Sequence, residues 1–249
     1  MSKEWKLLDN SKVFNHKVIP MLTAEECKSL IRWHQSHKHL ISVGSGEDYF
    51  GIRKMHITNE SVRLLFQKVE THCTAEIYKA TGKVFYPEMS TITEWPIGGF
   101  QDPHLDTYSN QEQDDHDFDE EERLKSPRRE WTVIVYLNDN YTGGETYFPP
   151  TDYYPFGHQV EKTTGDGLLF QGIYHGHGVF KVRRAPRHTL AIWFSEDMNN
   201  AMPQRPITEL NHNENTIRSA LQYRMDDTLV IGRKTEGPEW VEWKRQAKS

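Results

Sequence analysis

The chain has little of what several protein classes require. It has 249 residues but only two cysteines, Cys27 and Cys73, so a disulfide framework or a thiolate zinc site is excluded. Its longest apolar runs, Val133–Leu137 and Leu190–Phe194, are strand-sized and too short to span a membrane. The N-terminal ten residues are polar and contain no apolar stretch typical of a secretory signal, so we expect a cytoplasmic protein.

The charge balance is also informative. The net charge is −6, which gives no basic footprint for a nucleic acid, and we expect neither a nucleic-acid nor a membrane partner. The run Glu112–Glu122 concentrates acidic side chains. It reads either as solvated surface or as part of a functional loop. Aromatic residues make up 12% of the chain, which is typical of a folded globular protein.

The N-terminal third predicts scaffold helices. Thr23 with Glu26 has the spacing of a capping box, and a helical apolar pattern follows it. A second helical stripe begins after Asn59 and ends at Gly82. Both cysteines fall on these helices, where we expect them to be buried.

From about residue 88 the pattern changes to short strands separated by turn residues, which favours a sandwich or barrel. Gly143-Gly144 and Asp166-Gly167 are candidate hairpin corners. The predicted strands are Met89–Trp95, Trp131–Asn138, Thr146–Phe148, Gly167–Gln171, Gly178–Val182 and Thr189–Phe194. Beyond Met198 only a weak helical pattern from Asn213 to Met225 is visible.

His104-Leu105-Asp106 is the first candidate metal motif. In an extended strand the side chains at i and i+2 point to one face, so the imidazole and the carboxylate can bind one ion. Two histidines and one carboxylate with open positions favour non-haem Fe(II). The motif alone is weak, because roughly one His-x-Asp is expected by chance in a chain of this composition.

An ordered series of motifs surrounds that tripeptide. Gly98-Gly99 precedes it, and four further motifs follow: Tyr136-Leu137-Asn138, Gly143-Gly144-Glu145-Thr146-Tyr147-Phe148, Gly165-Asp166-Gly167-Leu168-Leu169-Phe170, and His177-Gly178-Val179 with Arg187 ten residues after His177. This series resembles the catalytic domain of the prolyl 4-hydroxylase family of Fe(II)- and 2-oxoglutarate-dependent dioxygenases. The resemblance spans roughly residues 20–197 and is sharp from about 95 to 194.

The resemblance implies a fold, a domain layout and a reaction. The fold would be mainly β with flanking helices: a double-stranded β-helix with N-terminal scaffold helices. A single domain would comprise helical support (1–87), a catalytic core (88–197) and a C-terminal extension (198–249). The reaction would hydroxylate a C–H bond, foremost that of a peptidyl proline, consuming 2-oxoglutarate and O2 and releasing succinate and CO2. Family members commonly use ascorbate, and we expect it here.

The resemblance also implies site residues. His104, Asp106 and His177 would be the catalytic iron ligands, and Arg187 would pair with the distal carboxylate of 2-oxoglutarate, assisted by Tyr136. A guanidinium is the preferred bidentate partner of a carboxylate. Strand alternation puts Thr189 and Ala191 on the Arg187 face, where small side chains leave room for a ligand, and Thr189 joins the cosubstrate residues.

Some positions leave alternatives open. Trp95 stands where the family often has Tyr, and its indole N–H could replace the phenol toward the cosubstrate. His175 is a rival for the third ligand. His116, His158 and His188 are interpreted as ordinary histidines, and Trp193 and Phe194 as core.

Substrate and partners remain open between a peptide or protein and a small molecule, and the oligomeric state is not predicted. The connection Tyr108–Arg129 is interpreted as a lid over the substrate. A nucleic-acid demethylase would carry a second Arg where this chain has Trp193. A non-catalytic β-barrel binding module is the remaining alternative class.

Overall fold

The computed structural model describes residues 16–41, 49–106, 129–150, 158–173 and 175–202. Within these ranges, ten strands form two antiparallel sheets, of six strands in the order β1-β8-β5-β10-β3-β2 and four in the order β4-β9-β6-β7. The strands are β1 His16–Pro20, β2 Phe50–Arg53, β3 Tyr86–Trp95, β4 Gln101–His104, β5 Trp131–Tyr136, β6 Thr146–Phe148, β7 His158–Gln159, β8 Asp166–Phe170, β9 His177–Val179 and β10 Arg187–Ser195. This is the predicted double-stranded β-helix.

Both predicted helices are present: α1, Ala24–Ser36, and α2, Glu60–Thr81. Thr23 caps α1 through a complete capping box, and Asn59 caps α2 by accepting a hydrogen bond from the Val62 amide. Gly82 ends α2 in the left-handed conformation, with φ of 71°. Neither helix is long and apolar enough to cross a membrane, and the same holds for every helix within the described ranges.

The main hydrophobic core lies between the two helices and the outer face of the six-stranded sheet. Its helical members include Leu30 and Phe66, and its strand members include Leu190, Ile192 and Phe194 of β10. The predicted burial of Phe194 is therefore confirmed. Two-residue alternation leaves the other face of β10 turned toward the space between the sheets.

Both cysteines are free and buried, as predicted. Cys27 lies on α1 and Cys73 on α2, and burial raises the pKa of Cys27 to about 11. Burial also raises the pKa of Cys73, which lies deeper in the core. Neither thiol is therefore a thiolate nucleophile near neutral pH.

The N-terminal segment contributes more than helices. Residues 1–87 were expected to be helical support, but β1 and β2 within them form the two edges of the six-stranded sheet. β1 pairs with β8, and β2 pairs with β3. Both strands are short, so their sequences lack the alternation that would have predicted them. The domain boundaries themselves remain a prediction.

One of the two predicted hairpin corners is in the wrong place. Gly143 and Gly144 both have φ of 66°, as a tight hairpin corner requires. Asp166 and Gly167, in contrast, already belong to β8, and the turn is made by Gly165 with φ of 89°. A Cβ at Gly165 would lie 2.1 Å from the carbonyl oxygen of Leu22, so only glycine fits there.

The predicted lid, residues 108–129, lies outside the described residues except for Arg129, and His116 with it. The predicted helix from Asn213 to Met225 also lies outside them. Of the C-terminal extension, residues 198–202 are described, and they contain a single 3-10 turn, Met198–Asn200.

A buried ion pair joins α2 to the strands. Lys54, just after β2, contacts Glu70 of α2 through its ammonium group, and both side chains are buried. The hydroxyl of Ser90 donates a second hydrogen bond to Glu70, of 2.8 Å. Removing one partner of such a pair leaves a desolvated charge, whereas removing both does not.

We therefore expect Lys54→Met to lower the free energy of unfolding by about 3–5 kcal/mol. The double variant Lys54→Met/Glu70→Leu should recover much of that loss, as measured by urea denaturation. Equal losses in the single and double variants would contradict a strongly coupled buried pair.

Candidate active site

The three predicted metal ligands lie together between the sheets. His104 ends β4 and pairs directly with His177, the first residue of β9. Nε2 of His104 lies 3.8 Å from Oδ1 of Asp106, and Nε2 of His177 lies 3.6 Å from Oδ2 of Asp106. One ligand atom from each residue lies within 4.8 Å of the other two. The three side chains can therefore coordinate a single metal ion.

Asp106 is positioned differently from the expected strand alternation. β4 ends at His104, so Asp106 lies beyond the strand. Its amide donates a hydrogen bond of 3.1 Å to the carbonyl of Gly172, and its carboxylate accepts one from the hydroxyl of Thr132. Contacts with distant segments of the same chain, rather than a strand face shared with His104, orient the carboxylate.

Both histidines have the hydrogen bonds of metal-binding imidazoles. Nδ1 of His104 lies 3.0 Å from the carbonyl of Asp102, and Nδ1 of His177 lies 3.1 Å from the carbonyl of His175. A carbonyl only accepts, so each Nδ1 carries the proton and each Nε2 keeps a lone pair toward Asp106. His175 thus contacts His177 through its backbone, and its side chain is not part of the ligand cluster.

Electrostatics favour the metal-binding forms of His177 and Asp106. Burial lowers the pKa of the His177 imidazole by penalising its charged form. Burial alone would raise the pKa of Asp106, but the neighbouring His177 and His104 and the Thr132 hydroxyl outweigh it, and the net shift is downward. A neutral imidazole and an ionised carboxylate are the forms that bind a metal.

Gly172 is a site residue that the sequence reading missed. A Cβ at this position would lie 2.2 Å from Oδ2 of Asp106 and 2.5 Å from the Thr132 hydroxyl. The absence of a side chain lets the segment after β8 approach the carboxylate. The sequence signal was slight: a glycine directly after the predicted strand Gly167–Gln171.

Arg187 lines the same cavity, with only 1% of its surface exposed. Its Nη2 donates a 3.2 Å hydrogen bond to the hydroxyl of Thr146. Its Nε has no hydrogen-bond partner among the described residues, and no carboxylate there pairs with it. A buried cation without a counter-ion is costly, so the cavity is suited to an anionic ligand.

Aromatic rings surround this guanidinium. Its Cζ lies 5.2 Å from the ring centre of Trp95 and 5.7 Å from that of Tyr136. Tyr136 donates its hydroxyl hydrogen to Thr146 over 2.9 Å and lies behind the cavity wall rather than in it. Thr146, missed in the sequence, therefore joins Tyr136 to Arg187.

Of the other predicted cosubstrate residues, Trp95 and Thr189 both line the cavity. The indole N–H of Trp95 has no hydrogen-bond partner within the described part of the chain. Ala191 lies beside Thr189 on the same face of β10, as the alternation predicted. The small side chains leave the space in front of Arg187 open.

The assignment of Trp193 to the core was wrong. Its ring is half-buried and lines the cavity, because alternation puts it on the same face of β10 as Arg187. Arg129 stacks over the ring at 5.5 Å and forms an ion pair with Glu88, whose Oε2 lies 2.6 Å from Nε of Arg129. The hydrophobic side chain suggested a core residue, but the alternation of β10 turns it toward the cavity.

The fold is a double-stranded β-helix, and a cluster of two histidines and one aspartate lies between its sheets. Residues 90–195 match the family model of the 2OG-Fe(II) oxygenase superfamily. The predicted resemblance is therefore confirmed for this segment: residues 90–195 are similar to the 2OG-Fe(II) oxygenase superfamily.

Curated relatives are prolyl hydroxylases. The chain is 32% identical over 78 residues to "Prolyl 3-hydroxylase 1" of Rattus norvegicus, and equally to that of Homo sapiens. The match covers 31% of this chain and 11% of each relative, so the chain spans about a tenth of their length.

Solved structures share the fold. The viral collagen prolyl hydroxylase of Paramecium Bursaria Chlorella virus-1, in complex with 2OG, has a TM-score of 0.52 at 17% identity, covering 76% of this chain and 96% of that chain. A Trichoplax adhaerens prolyl hydroxylase, in complex with a hypoxia inducible factor peptide fragment, has a TM-score of 0.54 at 16% identity, covering 73% and 83%. At these identities the likeness establishes the fold alone.

The tight contact at Gly172 gives a direct test of the cluster. Gly172→Ala should push the Asp106 carboxylate aside and weaken iron(II) binding by about 10- to 100-fold, the range seen when a ligand's support is lost. Gly176→Ala is a matched control, since the nearest atom to its added Cβ is 4.0 Å away. Anaerobic calorimetric titration with iron(II) measures both, and equal affinities would contradict the assignment.

Proposed function

We propose that this protein is an Fe(II)- and 2-oxoglutarate-dependent dioxygenase that hydroxylates a substrate C–H bond, foremost that of a peptidyl proline. The observation that carries the proposal is a pairing within one cavity. A two-histidine, one-carboxylate cluster lines the same cavity as the buried guanidinium of Arg187, which pairs with no carboxylate among the described residues. A dicarboxylic cosubstrate that also chelates a metal suits both groups.

The chemistry of the donors fits ferrous iron. His104 and His177 would hold it through Nε2, and Asp106 through its carboxylate, leaving further positions open. Iron bound there supplies, with 2-oxoglutarate and O2, the oxidation that converts C–H to C–OH while the cosubstrate leaves as succinate and CO2. Ascorbate as the reductant that maintains iron(II) belongs to the same proposal.

The protein's own residues bind, orient and exclude water. Arg187 would bind the distal carboxylate of 2-oxoglutarate, with Thr146 and Tyr136 fixing the guanidinium from behind. Thr189 leaves the necessary space, and the indole N–H of Trp95 is placed to supply a hydrogen bond to the cosubstrate. The buried position of Arg187 strengthens each of these contacts by excluding water.

The substrate would enter at the exposed part of the cavity, away from buried Arg187. The lining there includes half-buried Trp193 and exposed Arg53. Met89 lies opposite Trp193 in the β3–β10 pair, and together they form an apolar and aromatic mouth that suits a compact ring such as proline. A peptide is favoured because relatives and neighbours carry the name prolyl hydroxylase. Other C–H substrates, small molecules included, are the alternative.

The rival third ligand gives a sharp test of catalysis. We expect the wild-type protein with iron(II), 2-oxoglutarate and O2 to release succinate, even without substrate. His177→Ala should reduce that release by at least about 100-fold, because one of three ligands is lost. His175→Ala should keep most of it, since the hydrogen bond of His175 to Nδ1 of His177 is made by its backbone carbonyl, which the substitution leaves in place.

The readout is succinate quantified by mass spectrometry, with a prolyl peptide library added in parallel. A gain of one oxygen on a peptide, localised to C3 or C4 of the ring, would identify the substrate class. No succinate from the wild-type protein would favour the non-catalytic binding module.

The buried guanidinium gives a second test. Arg187→Met should raise the KM for 2-oxoglutarate by about 100-fold, the value of two lost charge-assisted hydrogen bonds. It should not lower the melting temperature of the cosubstrate-free protein, because it removes an uncompensated buried charge.

Arg183→Met is the control, since Arg183 is exposed on the preceding loop. Thermal unfolding with and without 2-oxoglutarate measures both effects. A large destabilisation of cosubstrate-free Arg187→Met would mean that the guanidinium serves the fold rather than the ligand.

A further inference from the structure

A second cluster of ligand-type side chains lies on the opposite face of the six-stranded sheet. It contains His34 near the end of α1, Glu94 of β3 and His188 of β10, all buried. Nδ1 of His34 lies 3.8 Å and Nε2 of His188 lies 3.5 Å from Oε2 of Glu94. One ligand atom from each residue lies within 4.8 Å of the other two.

The strand register builds this cluster. Glu94 lies directly opposite His188 in the β3–β10 pair and opposite Phe50 in the β2–β3 pair. His188 and Glu94 therefore share one face, and their neighbours Arg187 and Trp95 share the other. α1 brings His34 over the same point, where its Nε2 lies 3.0 Å from the carbonyl of Phe50.

The hydrogen bond of His34 favours metal binding. A carbonyl accepts and cannot donate, so Nε2 carries the proton and the lone pair of Nδ1 is on the side of Glu94. Metal-binding imidazoles characteristically donate their other ring N–H to a backbone carbonyl. His104 and His177 have the same arrangement with the two nitrogens exchanged.

The distances agree with this interpretation. The spacings of 3.5 and 3.8 Å match the 3.6 and 3.8 Å of the first cluster.

We propose that His34, Glu94 and His188 form a second metal site, distinct from the iron cluster, that binds Zn²⁺. Two imidazoles and one carboxylate are an established zinc donor set, and water can take the fourth position. The site would fasten α1 to β3 and β10 directly behind Trp95 and Arg187. Its role would be to hold the back wall of the cosubstrate cavity.

Lys38 is the competitor of the metal. Its ammonium lies 3.8 Å from the same oxygen of Glu94, and 42% of its side chain is exposed. It can withdraw into solvent when a cation binds, and otherwise it supplies the counter-charge. Removing this positive charge should therefore tighten zinc binding.

The experiment uses the His177→Ala variant, which disables the iron cluster, so that zinc binding reports on the second cluster. Calorimetric titration of the metal-free protein should give one zinc per chain and a raised melting temperature. Adding Glu94→Gln, which keeps the shape but removes the charge, should weaken binding at least about tenfold. Adding Lys38→Gln instead should strengthen it severalfold.

The outcomes separate clearly. No zinc bound by His177→Ala, or unchanged affinity after Glu94→Gln, would overturn the proposal and leave a buried ion-pair network. If Glu94→Gln does not fold, as judged by circular dichroism, the same titration is made with His34→Gln. His34 lies on the face of α1 that packs against the sheet. The experiment measures zinc binding and not turnover. Its result therefore does not depend on whether the dioxygenase proposal is correct.

Discussion

The register of β10 is the constraint on which the rest of the structure depends. This strand lies between β5 and β3 in the six-stranded sheet, and its residues alternate between two environments. Arg187, Thr189, Ala191 and Trp193 face the cavity, whereas Leu190, Ile192 and Phe194 face the helices. A slip of one residue would exchange the two sets and put a guanidinium into an apolar core. The apolar packing under α1 and α2 therefore secures the position of the cavity residues.

That packing sustains an arrangement that is unfavourable in isolation. Arg187 is buried without a carboxylate partner in the described part of the protein, and the Thr146 hydroxyl and the rings of Trp95 and Tyr136 lie against its charge. Such a position makes physical sense when a ligand supplies the missing negative charge. The side chains of His104, Asp106 and His177 in the same cavity are likewise held by hydrogen bonds within the protein. A site fixed in this way limits the cost of ordering its residues around a ligand.

The structural features that depend on local sequence patterns could be predicted from the sequence. Helix caps at Thr23 and Asn59 and the cavity face of β10 follow from short-range spacing. The structure brings His104 and Asp106 together as predicted, but contacts with Gly172 and Thr132, rather than strand alternation, position Asp106. His177 and Arg187 came from the order of motifs, which the family match over residues 90–195 supports. These features depend either on residues close in sequence or on the order of motifs along the chain, which the resemblance to a known family supplied.

What the sequence did not predict depends on contacts between distant segments. Thr132 and Gly172 reach Asp106 only when β5 and the segment after β8 come together, and the Lys54–Glu70 pair joins a loop to a helix. β1 and β2 are defined by their partners rather than by their own patterns. His188 was interpreted as ordinary because its neighbours Glu94 and His34 are far away in sequence.

The central claim is that one cavity holds ferrous iron at one end and a dicarboxylate at the other. A crystal structure grown without oxygen, with iron(II) and 2-oxoglutarate, tests it most directly. The account predicts anomalous density for one iron bonded to His104, Asp106 and His177, with the cosubstrate reaching from it to Arg187. Iron at these residues with Arg187 contacting no part of the cosubstrate, or no iron between them, would contradict it.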